Sequence, residues 1–158
     1  MCGIVGLYFK KKKLHNQLGF YLSGMLDNMS SRGPDSAGFA IYNNKEEKRY
    51  KYSLCINEKT NFKKFKQEIS KNFKNLDIKT ISDHVILYTS TKPQKVIPFI
   101  QKNYEDVLLV GYGKSIEIFK QVGNPKDIVK NFNLQQFSGS HGIGHTRMAT
   151  ESAITING

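Results

Sequence analysis

Residues Gly3-Ile4-Val5-Gly6-Leu7-Tyr8-Phe9 form an unbroken apolar run that Lys10 to Lys13 then cut off. A bilayer-spanning helix takes about 20 apolar residues, so a run this short has to bury itself as a strand within a protein core. That commits the start of the chain to the interior and anchors the N-terminus. The lysines follow the apolar segment instead of preceding it, and no small-residue cleavage site comes next, so the run does not read as a secretory leader. The expected compartment is the cytoplasm, where Cys2 and Cys55 read as two free thiols and not as a disulfide. A length of 158 residues suits one domain covering 1–158.

Further along, Leu18, Tyr21, Leu22, Met25, Leu26 and Met29 recur at spacings of three and four, which predicts a helix from Gln17 to about Ser30. Arg32-Gly33-Pro34-Asp35-Ser36 ends it, because Pro34 disfavours helical geometry at Gly33 and glycine permits unusual dihedrals. Ala37 to Tyr42 reads as a strand, Asn43-Asn44 as a turn, and Tyr50 to Ile56 as the returning arm of a hairpin. Phe62, Phe65, Ile69 and Phe73 mark an amphipathic helix. Val85 to Thr91 reads as a strand, and Gln94 to Lys102 as a helix opened by Pro93. Val107 to Tyr112 and Ile116 to Phe119 read as a strand pair, Pro125 to Phe132 as a short helix, and Gly142 to Thr150 as a glycine-rich strand or turn. Strands and helices mix without strict βαβ alternation, which predicts an α+β fold.

The formal net charge of +11 raises nucleic acid as a partner. Its makeup argues against one: 21 of the 24 basic residues are Lys, and only Arg32, Arg49 and Arg147 offer the planar fork that phosphate and base readers favour. No helix-turn-helix, zinc-finger or aromatic RNA-binding pattern organises the lysines, so the expectation is a solvated lysine-rich face with no nucleic-acid and no membrane partner. His15, His84, His141 and His145 stand at no metal-ligand spacing from Cys or carboxylates, so neither a metal nor another cofactor is expected.

Cys2 directly follows Met1, and removal of Met1 would put a thiol and a free α-amine on one residue. An α-amine titrates at about 7.7 to 8.0, far below lysine, so near neutral pH part of it is an uncharged base. An N-terminal nucleophile of this kind brings its own base. Taken alone, Cys2 reads first as a small apolar residue capping a strand, since position by itself is a weak signal. His145 has two readings as well, a base for the thiol or a structural histidine.

Three stretches change the balance: Met1-Cys2-Gly3-Ile4-Val5-Gly6, Arg32-Gly33-Pro34-Asp35-Ser36-Ala37-Gly38, and Gly144-His145-Thr146-Arg147-Met148-Ala149-Thr150. In order and approximate spacing they resemble the blocks of class II glutamine amidotransferase domains, the group that includes amidophosphoribosyltransferase, glucosamine-6-phosphate synthase and glutamate synthase. Within the group they look most like small amidotransferase subunits of the glutamate-synthase-like and methylglutamate-synthase type. The resemblance covers the ends and first third of the chain; residues 43–140 share only the general expectation of strands and helices.

The resemblance implies an N-terminal-nucleophile hydrolase fold, a four-layer αββα sandwich of antiparallel sheets, here C-terminally incomplete. It implies Cys2 as the nucleophile that hydrolyses L-glutamine through a glutamyl thioester, with the ammonia passing to a synthase subunit or domain. Arg147 matches the arginine that holds the α-carboxylate of glutamine, a role that suits the guanidinium fork. Thr150 matches a threonine near the bound glutamine. Arg32, Gly33, Asp35 and His145 fall to structural support of the site: His145 because the α-amine is the base, Arg32 and Asp35 as a local ion pair or turn bracing the catalytic strand. The oxyanion-hole Asn-Gly pair and the Asp that binds the α-amine of glutamine have no counterpart among the 158 residues, since Asn157-Gly158 stands too soon after Arg147 and reads as a turn. Two alternatives stand beside this reading, a non-catalytic interaction subunit of the same fold and a basic nucleic-acid-binding protein.

Overall fold

The computed structural model describes residues 2–149. The chain is α+β: two four-stranded sheets, built from antiparallel pairings, and four α-helices among the described residues. It divides into two compact units, one made of Met1–Asn44 and Ile118–Gly158, the other of Lys45–Glu117.

The first unit holds the sheet ordered β1-β8-β2-β7, where β1 is Gly3–Tyr8, β2 Ser36–Tyr42, β7 Ile116–Val122 and β8 His141–Arg147. The opening apolar run thus pairs as a strand with β8, Gly3 opposite Thr146 and Tyr8 opposite His141. Helix α1, Leu18–Asn28, lays its predicted apolar stripe against the sheet, with Leu18, Leu22 and Leu26 at most 1% exposed. Each such leucine stabilises by about 1.5 to 3 kcal/mol through burial. The helix comes close because β8 presents glycine inward: a Cβ on Gly142 would stand 2.8 Å from Leu22, and one on Gly144 2.7 Å from Leu26. Phe39 of β2 stacks on Phe119 of β7 at 5.0 Å, and Phe132, just past α4 (Pro125–Asn131), meets both rings. Strand alternation sends the other side chains of β1 and β8 to the open face, where Ile4, Tyr8, Ile143 and His145 are exposed.

The second unit holds the sheet ordered β4-β5-β3-β6, with β3 Tyr50–Ile56, β4 Asp77–Ile81, β5 His84–Thr89 and β6 Val107–Gly113. Helices α2, Phe62–Asn72, and α3, Pro93–Asn103, supply Phe65, Ile69, Val96 and Ile100 to a core completed by Tyr52, Leu54, Val85 and Leu87. Asn61 caps α2 by accepting the Lys64 N–H at 3.0 Å.

Two strand pairings differ from the sequence expectation. β2 and β3 form no hairpin: β2 lies between β8 and β7, whereas β3 pairs with β5 and β6. β6 and β7, although separated by a short turn, also fall in different sheets. The local turn signal at Asn43-Asn44 marks where the chain changes direction, but which edge a strand joins depends on long-range pairing. The β4–β5 hairpin, turning at Ser82 with φ of 54°, had no alternating pattern to announce it. Among the described residues no helix is long and apolar enough to cross a membrane.

Candidate active site

A cavity of about 520 Å³ opens on the uncovered face of the first unit's sheet, a volume in the range of small-molecule sites. Cys2, exposed immediately before β1, lies at its rim together with Ser36 and Gly38 of β2, Lys120 of β7, and His145 and Arg147 of β8. The register explains the convergence. Ser36 is the Cα partner of Arg147 and Gly38 of His145, while Ile4 of β1 faces His145 from the other side. Alternation along β8 turns Ile143, His145 and Arg147 to the same face and Gly142, Gly144 and Thr146 to the opposite one.

Of the residues singled out from the sequence, Cys2, His145 and Arg147 therefore line one cavity. Gly33 and Asp35 lie behind it, against the backbone at the end of β8. A Cβ on Gly33 would come within 2.6 Å of the Arg147 nitrogen and of the Thr146 carbonyl carbon. Glycine is needed there for space; the positive-φ glycine among the described residues is Gly123 instead. Pro34 forms an isolated bridge with Arg147, and the Asp35 N–H donates to the Arg147 carbonyl at 3.1 Å. Arg32 is exposed at the turn and makes no ion pair with Asp35 among the described residues; the Asp35 carboxylate accepts the Ala149 N–H at 2.7 Å in its place. His145 is exposed, because its odd position in β8 points it to the open face. Thr150 lies outside the described residues, as does Asn157-Gly158.

Chemically, the cavity sets a thiol and a guanidinium in one apolar-walled space with a second cation, Lys120, and the neutral polar groups Ser36 and Gln121. A thiol is a nucleophile and a guanidinium a carboxylate receptor, so the space suits a small carboxylate that also carries an electrophilic carbonyl. Ser36 lies within the Arg32 to Gly38 stretch and was within reach of a sequence reading. Lys120 and Gln121 were not, since β7 enters the site only through its pairing with β2.

Cys55, Asp83 and His84 form a separate cluster in the second unit, with a thiol, a carboxylate oxygen and a ring nitrogen all within 4.8 Å of one another. Linear spacing could not announce it, because Cys55 and His84 meet as cross-strand partners of β3 and β5. The groups satisfy one another: the Cys55 thiol donates to Asp83 Oδ2 at 3.8 Å, and His84 Nδ1 lies 2.9 Å from Asp83 Oδ1. Burial, with Asp83 beside it, pushes the Cys55 thiol up to about 11.

No family model matches the chain. Two curated relatives do. One is the glutamine amidotransferase-like protein GlxB of Rhizobium meliloti, 41% identical over 160 residues that cover 100% of this chain and 53% of the relative. The other is a protein of Methanothermobacter thermautotrophicus named putative glutamine amidotransferase, 32% identical over 165 residues that cover 98% of this chain and 54% of that protein. The chain spans about half the length of the curated relatives it matches. The similarity runs along essentially all of this chain's residues, to one protein named glutamine amidotransferase-like and one named putative glutamine amidotransferase.

Proposed function

We propose that residues 1–158 belong to a class II glutamine amidotransferase domain of the N-terminal-nucleophile type, which hydrolyses L-glutamine at Cys2 and passes the ammonia to a synthase subunit or domain in the cytoplasm. The observation that carries this reading is the shared cavity: Cys2, the nucleophile that the opening motif marks, and Arg147, the arginine of the third motif, line the same space on one sheet face. Among the described residues each unit supplies a four-stranded sheet and two α-helices, the elements from which that fold is built.

In this mechanism Arg147 receives the α-carboxylate of glutamine through its fork and so sets the distance of the side-chain amide from the thiol. With Met1 removed, the α-amine of Cys2 takes the thiol proton, and sulfur attacks the amide carbon. The tetrahedral intermediate collapses by breaking the carbon–nitrogen bond, and the α-ammonium returns the proton to the leaving ammonia. Water, deprotonated by the same amine, then cleaves the thioester to glutamate and restores the thiol. Thr150 adds a hydroxyl near the bound glutamine, and Arg32, Gly33, Asp35 and His145 support the site.

The test uses the full-length protein. Glutamate release from glutamine should vanish in Cys2→Ala, and a glutamine-analogue electrophile should modify Cys2 in the wild type, whose intact mass should lack Met1. Hydrolysis that persists in Cys2→Ala overturns the reading.

A further inference from the structure

Asp35 and Ala149 are 114 positions apart in the chain, yet the Asp35 carboxylate accepts the Ala149 N–H at 2.7 Å. A carboxylate on a backbone amide at that distance is a charge-assisted bond, stronger than a neutral one. The Asp35 N–H meanwhile donates to the Arg147 carbonyl at 3.1 Å, and the Asp35 carbonyl accepts the Gly123 N–H at 2.9 Å just past the end of β7. One residue thus grips the chain at Arg147 and again two residues later, while its own backbone is fixed to a third segment. The place matters because β8 ends at Arg147, the last residue in register with β2. Beyond it the sheet ladder no longer orders the chain, and the Asp35 carboxylate continues that order to Ala149. Asp35 is not among the residues lining the cavity that holds Cys2 and Arg147.

We infer that Asp35 is a positioning residue for substrate binding: by clamping the backbone on the C-terminal side of Arg147, its carboxylate holds the guanidinium in the geometry that receives the α-carboxylate of glutamine. The inference rests on the proposed role of Arg147. It requires an acceptor oxygen at Asp35 but no negative charge and no proton transfer, which separates it from an acid–base role. Asparagine at the position keeps an acceptor of the same reach, alanine removes it, and glutamate displaces it by one methylene.

The experiment compares full-length wild type with Asp35→Asn, Asp35→Ala and Asp35→Glu by two readouts, hydrogen exchange at the Ala149 amide and steady-state glutamine hydrolysis. The Ala149 amide should be protected in wild type and Asp35→Asn and exchange freely in Asp35→Ala. The KM for glutamine should rise about tenfold in Asp35→Ala, with kcat changed by less than about twofold, and Asp35→Asn should restore most of the affinity. Asp35→Glu should fall between them, which keeps the series readable if Asp35→Ala folds poorly. An Ala149 amide equally protected in every variant, or a loss of kcat as large in Asp35→Asn as in Asp35→Ala, overturns the inference. A wild type that hydrolyses no glutamine defeats the functional reading and the substrate half of this inference with it, whereas the exchange measurement still reports the clamp.

Discussion

Lys51 and Glu117 form an ion pair, Nζ to Oε1 at 3.2 Å, between side chains only 3% and 2% exposed. The Tyr88 hydroxyl donates to the same carboxylate oxygen at 3.0 Å, so the charge is held within a hydrogen-bonded group. Removing one partner strands the other in a medium that solvates it poorly. Lys51→Met should therefore destabilise the protein by about 3 to 5 kcal/mol, and replacing both residues by apolar ones of similar size should cost less than Lys51→Met alone. Urea denaturation of the two variants checks this; a double variant destabilised as much as Lys51→Met or more would refute it.

The two cysteines should differ in reactivity and in what they do to stability. Burial raises Cys55 from 9.0 to about 11, so the folded protein keeps this proton to a higher pH than the unfolded chain does. The resulting contribution to stability is complete below about pH 9 and is lost as pH rises towards 11. Cys2 is exposed. Iodoacetamide near neutral pH should therefore modify Cys2 well before Cys55, as peptide mass mapping over time would show. Denaturation midpoints between pH 8 and 11 should fall more steeply in wild type than in Cys55→Ala.

Arg147→Lys keeps the positive charge in the cavity but gives up the fork. Loss of one charge-assisted hydrogen bond should raise the KM for glutamine by about tenfold or more, with kcat much less affected. Steady-state kinetics on the full-length protein decides it, and an unaltered KM would remove Arg147 from the carboxylate site.

Gly33→Ala forces a methyl group to within 2.6 Å of backbone atoms of Thr146 and Arg147. The loop and the end of β8 must part, at a cost on the order of 1 to 3 kcal/mol. A lower thermal midpoint with a raised KM is expected. A variant with wild-type stability would show that the contact yields freely.

Much of the local structure was written in side-chain order. The three-and-four spacing from Leu18 to Met29 yields α1, and that of Phe62, Phe65, Ile69 and Phe73 yields α2, because burial of one helix face is a local demand. The opening apolar run yields β1, but not the buried strand expected of it: β1 is an edge strand of its sheet, and Ile4 and Tyr8 stand exposed on the open face. The candidate residues Cys2, Gly33, Asp35, His145 and Arg147 were singled out through the resemblance of the three motif stretches, and of them Cys2, His145 and Arg147 line the cavity. Pairing was another matter. β2 and β3 looked like a hairpin and are not one, because a turn marks a reversal of direction without specifying the strand met afterwards.

The same division runs through the chemistry. The resemblance of three short stretches, more than residue types taken singly, named a thiol, an arginine and the loop that accompanies them. Only the pairing of β8 with β1 and β2 decided that the thiol and the arginine open into one cavity and that Asp35 reaches Ala149 and not Arg32, and only the place of β7 beside β2 that Lys120 joins them. The cross-strand meeting of Cys55 and His84 is of this second kind too. Helix and strand periods are set by neighbours a few residues apart, whereas these contacts join residues whose proximity exists only once the sheets have formed.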